Sequence, residues 1–171
     1  NLSVSSGTIT VGNIVAGAGN LVGTIGTSTT WFGNAYVKAV NALYADLAEM
    51  YVADADYAPG TVLEFGGDQE VTTTTQSHST RVAGIVSTNP SYLMNSCQEG
   101  EYVVAVALTG RVPCRVLGPV SKGDRVVSSD VRGVAERLDM TKYQPGCIIG
   151  KALEAYNSDT VGTIEVAVGS L

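Results

Sequence analysis

Charged residues are scarce in this 171-residue chain, and they are distributed unevenly. Only 15% of the residues are Asp, Glu, Lys or Arg, whereas an average globular domain has about 25%. Residues 1–37 carry no charge, Lys38 adds one base, and residues 39–80 hold seven acids without a base. Residues 81–171 balance nine bases against nine acids, so the acidic segment accounts for the net charge of −6. This charge disfavours a nucleic acid or an anionic membrane as partner.

Motifs for catalysis, cofactor binding and metal binding are also missing. There is no GxGxxG, and Gly66-Gly67-Asp68 lacks the Lys that a phosphate loop needs. No apolar run reaches the 18 residues of a membrane span, so no membrane insertion is predicted. The sequence therefore predicts no catalytic, cofactor-binding or metal-binding residues.

The single histidine and the three cysteines are interpreted as structural. His78 stands between two serines in a Thr-rich run, with no visible carboxylate or strained turn to make it a catalytic base, and is expected on the surface. Cys97, Cys114 and Cys147 are widely spaced without a CxxC motif, which predicts small buried hydrophobes in a protein assembled in a reducing cytoplasm.

The acids of residues 39–80 are the group with the chemistry for a hard cation, because Ca²⁺ prefers several carboxylate and carbonyl oxygens. They are Asp46, Glu49, Asp54, Asp56, Glu64, Asp68 and Glu70. They lack EF-hand-like spacing, and nothing supplies a pocket for Asp54 and Asp56 as an acid/base pair. A solvated or subunit-facing surface is therefore favoured. The bases expected to pair with it include Arg81, Arg111, Arg115 and Arg125.

Small residues dominate the first part of the chain. Residues 3–30 alternate β-branched residues with Gly, Ser, Thr and Asn, which predicts short strands separated by glycine. Such side chains bury little apolar area. Residues 1–33 are therefore interpreted as a fibre-like segment that neighbouring chains or a larger domain must cover. Because the chain begins with Asn1 rather than Met, it is interpreted as a processed product or as part of something longer.

Residues 34–57 are predicted to be a helical connector, with the helix at 38–50. Apolar residues recur there at spacings of three and four, which is a helical period. They are Tyr36, Val40, Leu43, Tyr44, Leu47, Met50 and Tyr51. An extended connector is the alternative, because Tyr36-Val37 and Tyr51-Val52 are typical of strands.

Residues 58–171 are predicted to form a compact all-β domain that folds independently. Ala58-Pro59-Gly60 is a turn signal, and Val-rich runs then follow one another every 8 to 15 residues. The predicted fold class is thus mainly β, with a Gly/Thr-rich N-terminal segment, a short connecting helix and a C-terminal β-barrel or β-clip-like domain.

Several phrases occur in a set order. They are DLAEMYVADADYAPGTVLEFGG, VAGIVSTNPSYLMNS, VALTGRVPCRVLGPVSKGDRVVSS, IIGKALE and GTIEVAVG. This order resembles the C-terminal region of virion structural and tail-fibre proteins of tailed phages, especially those infecting cyanobacteria, over about residues 26–171. GIVSTNP is also similar to the C-terminal chaperone domain of phage neck appendages, a family that cleaves itself from the fibre after trimerisation. The turns and strands resemble, at fold level, the β-clip domains of head-decoration proteins.

These resemblances imply a non-enzymatic virion protein, part of a homotrimeric tail fibre or spike that is assembled in the host cytoplasm. Other virion structural proteins and the host cell surface are the implied partners. Two alternatives stay open: a self-cleaving intramolecular chaperone domain and a capsid decoration protein. Autoproteolysis is implied by the resemblance alone, because no nucleophile or catalytic acid maps onto particular residues.

Overall fold

The computed structural model describes residues 7–14 and 23–169, and it divides into two units, Asn1–Val40 and Asn41–Leu171. In the described part of the first unit, the regular structure consists of one bridge, between Thr27 and Thr30. The strands predicted elsewhere in residues 3–30 do not form at 7–14, and those at 3–6 and 15–22 lie outside the described residues.

The second unit is a ten-stranded mixed sheet. Its strands are β1 (Asp46–Ala53), β2 (Val62–Phe65), β3 (Val71–Thr73), β4 (Val82–Val86), β5 (Tyr92–Met94), β6 (Tyr102–Leu117), β7 (Arg125–Ser128), β8 (Ala135–Arg137), β9 (Ile148–Ala152) and β10 (Val161–Val168). A short 3₁₀ helix at Met140–Lys142 follows β8. The prediction of a mainly β fold with a compact β domain is confirmed. No helix in the described residues is long and apolar enough to cross a membrane.

The helix predicted at 38–50 is wrong. Residues 38–45 have no helical structure, and Asp46–Ala53 is β1, which pairs along its whole length with the antiparallel β6. The register joins Asp46 to Gly110 and Ala53 to Tyr102. A ladder to a strand distant in sequence outweighs a local helical period, because each strand residue gains backbone hydrogen bonds and a cross-strand neighbour. The segment thus adopts the extended alternative, and β1 belongs to the β domain.

Strand β6 organises the sheet because it pairs with four other strands. Its N-terminal half pairs with β1 and β4, and its C-terminal half pairs with β10 and β8. Gly110 lies at the change of partner, opposite both Asp46, the first residue of β1, and Val168, the last residue of β10. One continuous strand thus pairs with β10, at one end of the sheet order, and with β1, which is next to the other end.

Two clusters of buried side chains form the core, and β6 contributes to both. The first core takes Val112, Cys114 and Val116 from β6 and packs them against β7, β9 and β10. The second core takes Val104 and Val106 from β6 and packs them against β1 to β4. Valine dominates because a branched side chain at every second strand position fills a sheet interior well.

Candidate functional site

His78 is the first candidate, and the structure contradicts its predicted surface position. The residue is 6% exposed and lies in the β3–β4 loop, with its backbone in the left-handed region at φ +59°. Its N–H donates to the carbonyl oxygen of Ser128 over 2.9 Å, and its Nε2 accepts the N–H of Asp139 over 3.1 Å. Both partners lie at least 50 residues further along the chain, so local sequence gave no sign of the burial.

A serine and a carboxylate stand beside His78, but in an order that does not suit hydrolysis. Because Nε2 accepts a hydrogen bond, the neutral ring carries its proton on Nδ1, which lies 2.6 Å from Ser77 Oγ. The Ser77 hydroxyl in turn donates to Glu136 Oε1 over 2.5 Å. A hydrolytic histidine must accept the serine proton, whereas here it donates toward the serine. The arrangement holds the loop against β8.

Glu64 is a second buried group in this region. It is 3% exposed, and its two oxygens accept from Ser79 Oγ over 2.5 Å and from Arg81 Nη2 over 2.6 Å. Arg81 is therefore one base that pairs with the acidic segment, as predicted. Among the described residues, Arg111, Arg115 and Arg125 have no carboxylate oxygen within 4.0 Å.

The other acids of residues 39–80 are spread over β1 and the turns around β2. Asp46 is buried and accepts the Ser87 hydroxyl over 2.6 Å, while Glu70 accepts the N–H of Val52 over 2.7 Å. Hydrogen bonds from Tyr57 and Thr72 hold the pKa of Asp54 below its usual range, although partial desolvation is the largest single influence and opposes them. Within residues 7–14 and 23–169, no three His, Cys, Asp or Glu side chains converge as metal ligands.

The cysteines divide into two kinds. Cys114 and Cys147 are buried as predicted, and burial raises the pKa of the Cys114 thiol to about 12. Cys97 is exposed, so its predicted burial is wrong. It lies in the turn between β5 and β6 and so does not belong to a strand that could direct its side chain into the core.

The strongest candidate for a functional surface is the set of large apolar side chains of the first unit, here called the lead-in surface. Each of them is more than half exposed, and Tyr36 reaches 95%. The members are Ile9, Val11, Ile14, Ile25, Trp31, Phe32, Tyr36, Val37 and Val40. They are all the Ile, Val, Trp, Phe and Tyr residues in the described part of this unit. Because large apolar side chains are so exposed along this segment, it is the candidate for an interaction surface.

The comparisons with known proteins identify the fold. No protein-family profile and no curated protein sequence matches the chain. Among solved structures, the pre-mature gene product 12 of bacteriophage phi29 is similar, with a TM-score of 0.58 and 12% sequence identity over 79% of this chain. The match spans 23% of the phage protein. At this identity the likeness shows a shared fold, and this chain corresponds to less than a quarter of that protein.

Proposed function

We propose that the chain is a non-enzymatic structural component of a phage particle and forms part of a homotrimeric tail fibre or spike. The observation that carries the proposal is the lead-in surface, whose nine large apolar side chains lie in water in the isolated chain. Burying one such side chain stabilises an assembly by about 1.5–3 kcal/mol. Repeated over several copies, that gain is large compared with the cost of association.

The phage assignment rests on two further supports. The order of sequence phrases resembles phage fibre proteins, and 79% of the chain matches the fold of a phi29 gene product. A three-fold arrangement agrees with contacts that close by rotation into a ring. The chain then belongs in the virion, with other virion proteins and the host surface as partners.

Sedimentation equilibrium of the full chain tests the trimer. At micromolar concentration we expect a mass three times the 17.7 kDa of one chain. The triple variant Tyr36→Ser, Val37→Ser, Val40→Ser should dissociate to monomers. A matched control, Tyr143→Ser, Val131→Ser, Val161→Ser, changes the same residue types on the β domain and should remain trimeric. A monomeric wild-type chain refutes the proposal.

A self-cleaving chaperone domain is the second candidate, and the likeness to a protein solved in a pre-mature form favours it. Mass spectrometry of the full-length gene product distinguishes the two, because cleavage leaves a pair of fragments.

A further inference from the structure

Three basic side chains surround a cavity of about 340 Å³ on the β7–β8–β9 part of the sheet. Arg125, Arg137 and Lys151 each come from a different strand, and Leu138 and Met140 complete the wall. We call this the basic pocket. The lining also includes one acid, Asp124, whose Oδ2 accepts a hydrogen bond from the N–H of Ser121 over 2.8 Å.

The three bases of the basic pocket form no ion pair within the described residues. Arg125 lies directly opposite Lys151 on the neighbouring strand, and like charges in such a pair destabilise a sheet. None of the three bases has a carboxylate oxygen within 4.0 Å in residues 7–14 and 23–169. A negatively charged group seated in the pocket would relieve this repulsion.

A second cavity, of about 490 Å³, carries the opposite charge. Its lining includes the carboxylates of Asp54, Asp68, Glu99 and Glu101 and no Lys or Arg. We call this the acidic edge. It lies where β6 begins, whereas the basic pocket lies in the strands that adjoin the other end of β6 at Val116. The two surfaces have no lining residue in common.

We propose that the basic pocket of one chain binds the acidic edge of the next. Two different, complementary surfaces on the same domain allow a head-to-tail contact, which closes into a ring when the rotation allows it. This inference rests on the proposed trimer and assigns it a second, electrostatic interface. Opposite potentials across an interface also fix which neighbours pair and in which register.

A charge-swap experiment in the full chain tests the proposal. Arg137 and Glu99 are both exposed, so reversing either charge should leave the fold intact. We expect Arg137→Glu to weaken trimerisation at least tenfold, Glu99→Lys to do the same, and the double variant to recover most of the loss. Arg111→Glu, an exposed arginine outside both cavities, is the matched control and should have no effect. Sedimentation at 50 mM and 500 mM NaCl should show weaker trimers at the higher salt.

The outcomes separate this inference from the proposed function. Trimers that persist in all the variants, or a double variant that is as weak as the two single changes combined, overturn the contact and leave the trimer standing. Inorganic phosphate that stabilises the wild type against heat without altering its mass, while the variants stay trimeric, assigns the pocket to a free anion and also overturns the contact. A monomeric wild type overturns both.

Discussion

Replacing Gly110 by alanine tests how closely the backbone of β6 approaches the residues at the start of β1. Gly110 has φ +108°, which side chains of L-residues rarely adopt. An added Cβ would lie 2.2 Å from the carbonyl oxygen of Ala45 and 2.6 Å from Asp46 Cα. Both contacts are with backbone, so no side-chain rotation relieves them.

The two effects of Gly110→Ala can be sized separately. The unfavourable backbone conformation costs about 1–3 kcal/mol, and forcing an atom into a filled space costs about another 1–3 kcal/mol. The sum of about 2–6 kcal/mol is a large part of a typical unfolding free energy of about 5–15 kcal/mol. At roughly 3 °C per kcal/mol for a domain of this size, Tm should fall by roughly 6–18 °C.

Two other glycines supply controls for this measurement. Gly123 has φ +91° with no atom within 4 Å of an added Cβ, so Gly123→Ala isolates the conformational cost. At Gly100 an added Cβ would meet the Val52 methyl groups at 2.8 and 3.2 Å, which are side-chain atoms that can move. Thermal unfolding followed by circular dichroism, at one protomer concentration throughout, compares the three variants. If Gly110→Ala loses no more stability than Gly123→Ala, the close approach of Gly110 to Ala45 and Asp46 has no energetic effect, and the reasoning is refuted.

Three further predictions concern single side chains. His78→Ala should lower the unfolding free energy by about 1 kcal/mol in urea titration, because the hydrogen bond between His78 Nε2 and the exposed N–H of Asp139 is lost; an unchanged midpoint would show that this contact contributes nothing. Tyr57→Phe should reduce Tm more at pH 7 than at pH 3. The hydrogen bond from Tyr57 lowers the pKa of Asp54 in the folded state, so it stabilises the fold above the unfolded pKa of Asp54, and this contribution is lost as pH falls through the folded pKa. An equal loss of Tm at both pH values would exclude the ionisation of Asp54 as its source. In native protein at pH 8, a thiol reagent should modify Cys97 rapidly and Cys114 only after unfolding, since burial raises the pKa of Cys114 to about 12; equal rates would contradict the burial.

The sequence was sufficient for the fold class because turns and strands leave local signals. Pro59-Gly60 and the valine-rich runs after it predict short strands, and the β domain has them. The 38–50 segment was predicted incorrectly because its period of three and four is real but is outweighed by pairing with β6, more than 50 residues away. The local sequence pattern does not show which distant strand a segment will pair with.

The candidate sites depended even more on distant pairing. His78 is buried by residues of β7 and the β8 turn, and the basic pocket exists because the register places Arg125 opposite Lys151. In the sequence, these bases are simply among the nine that balance nine acids in residues 81–171, and nothing there indicates that they lie close together. Part of the lead-in surface was easier to predict, since the glycine- and threonine-rich residues 1–33 cannot bury their own few large side chains. Tyr36, Val37 and Val40 lie instead in the segment predicted as a helical connector.

The shared position of Asp46 and Val168 opposite Gly110 has a mechanical consequence. With strands spaced about 4.8 Å apart, Asp46 and Val168 lie within roughly 10 Å of each other. A force applied between Asp46 and Val168 therefore acts first on the ladders that join β1 and β10 to β6, beginning at Gly110. Separating these strands also breaks the pairing of β1 with β3 and β5 and of β10 with β9. Because Asp46 and Val168 lie so close together, a few residues could join them, and new termini could be opened at the exposed turn around Cys97 without removing a strand.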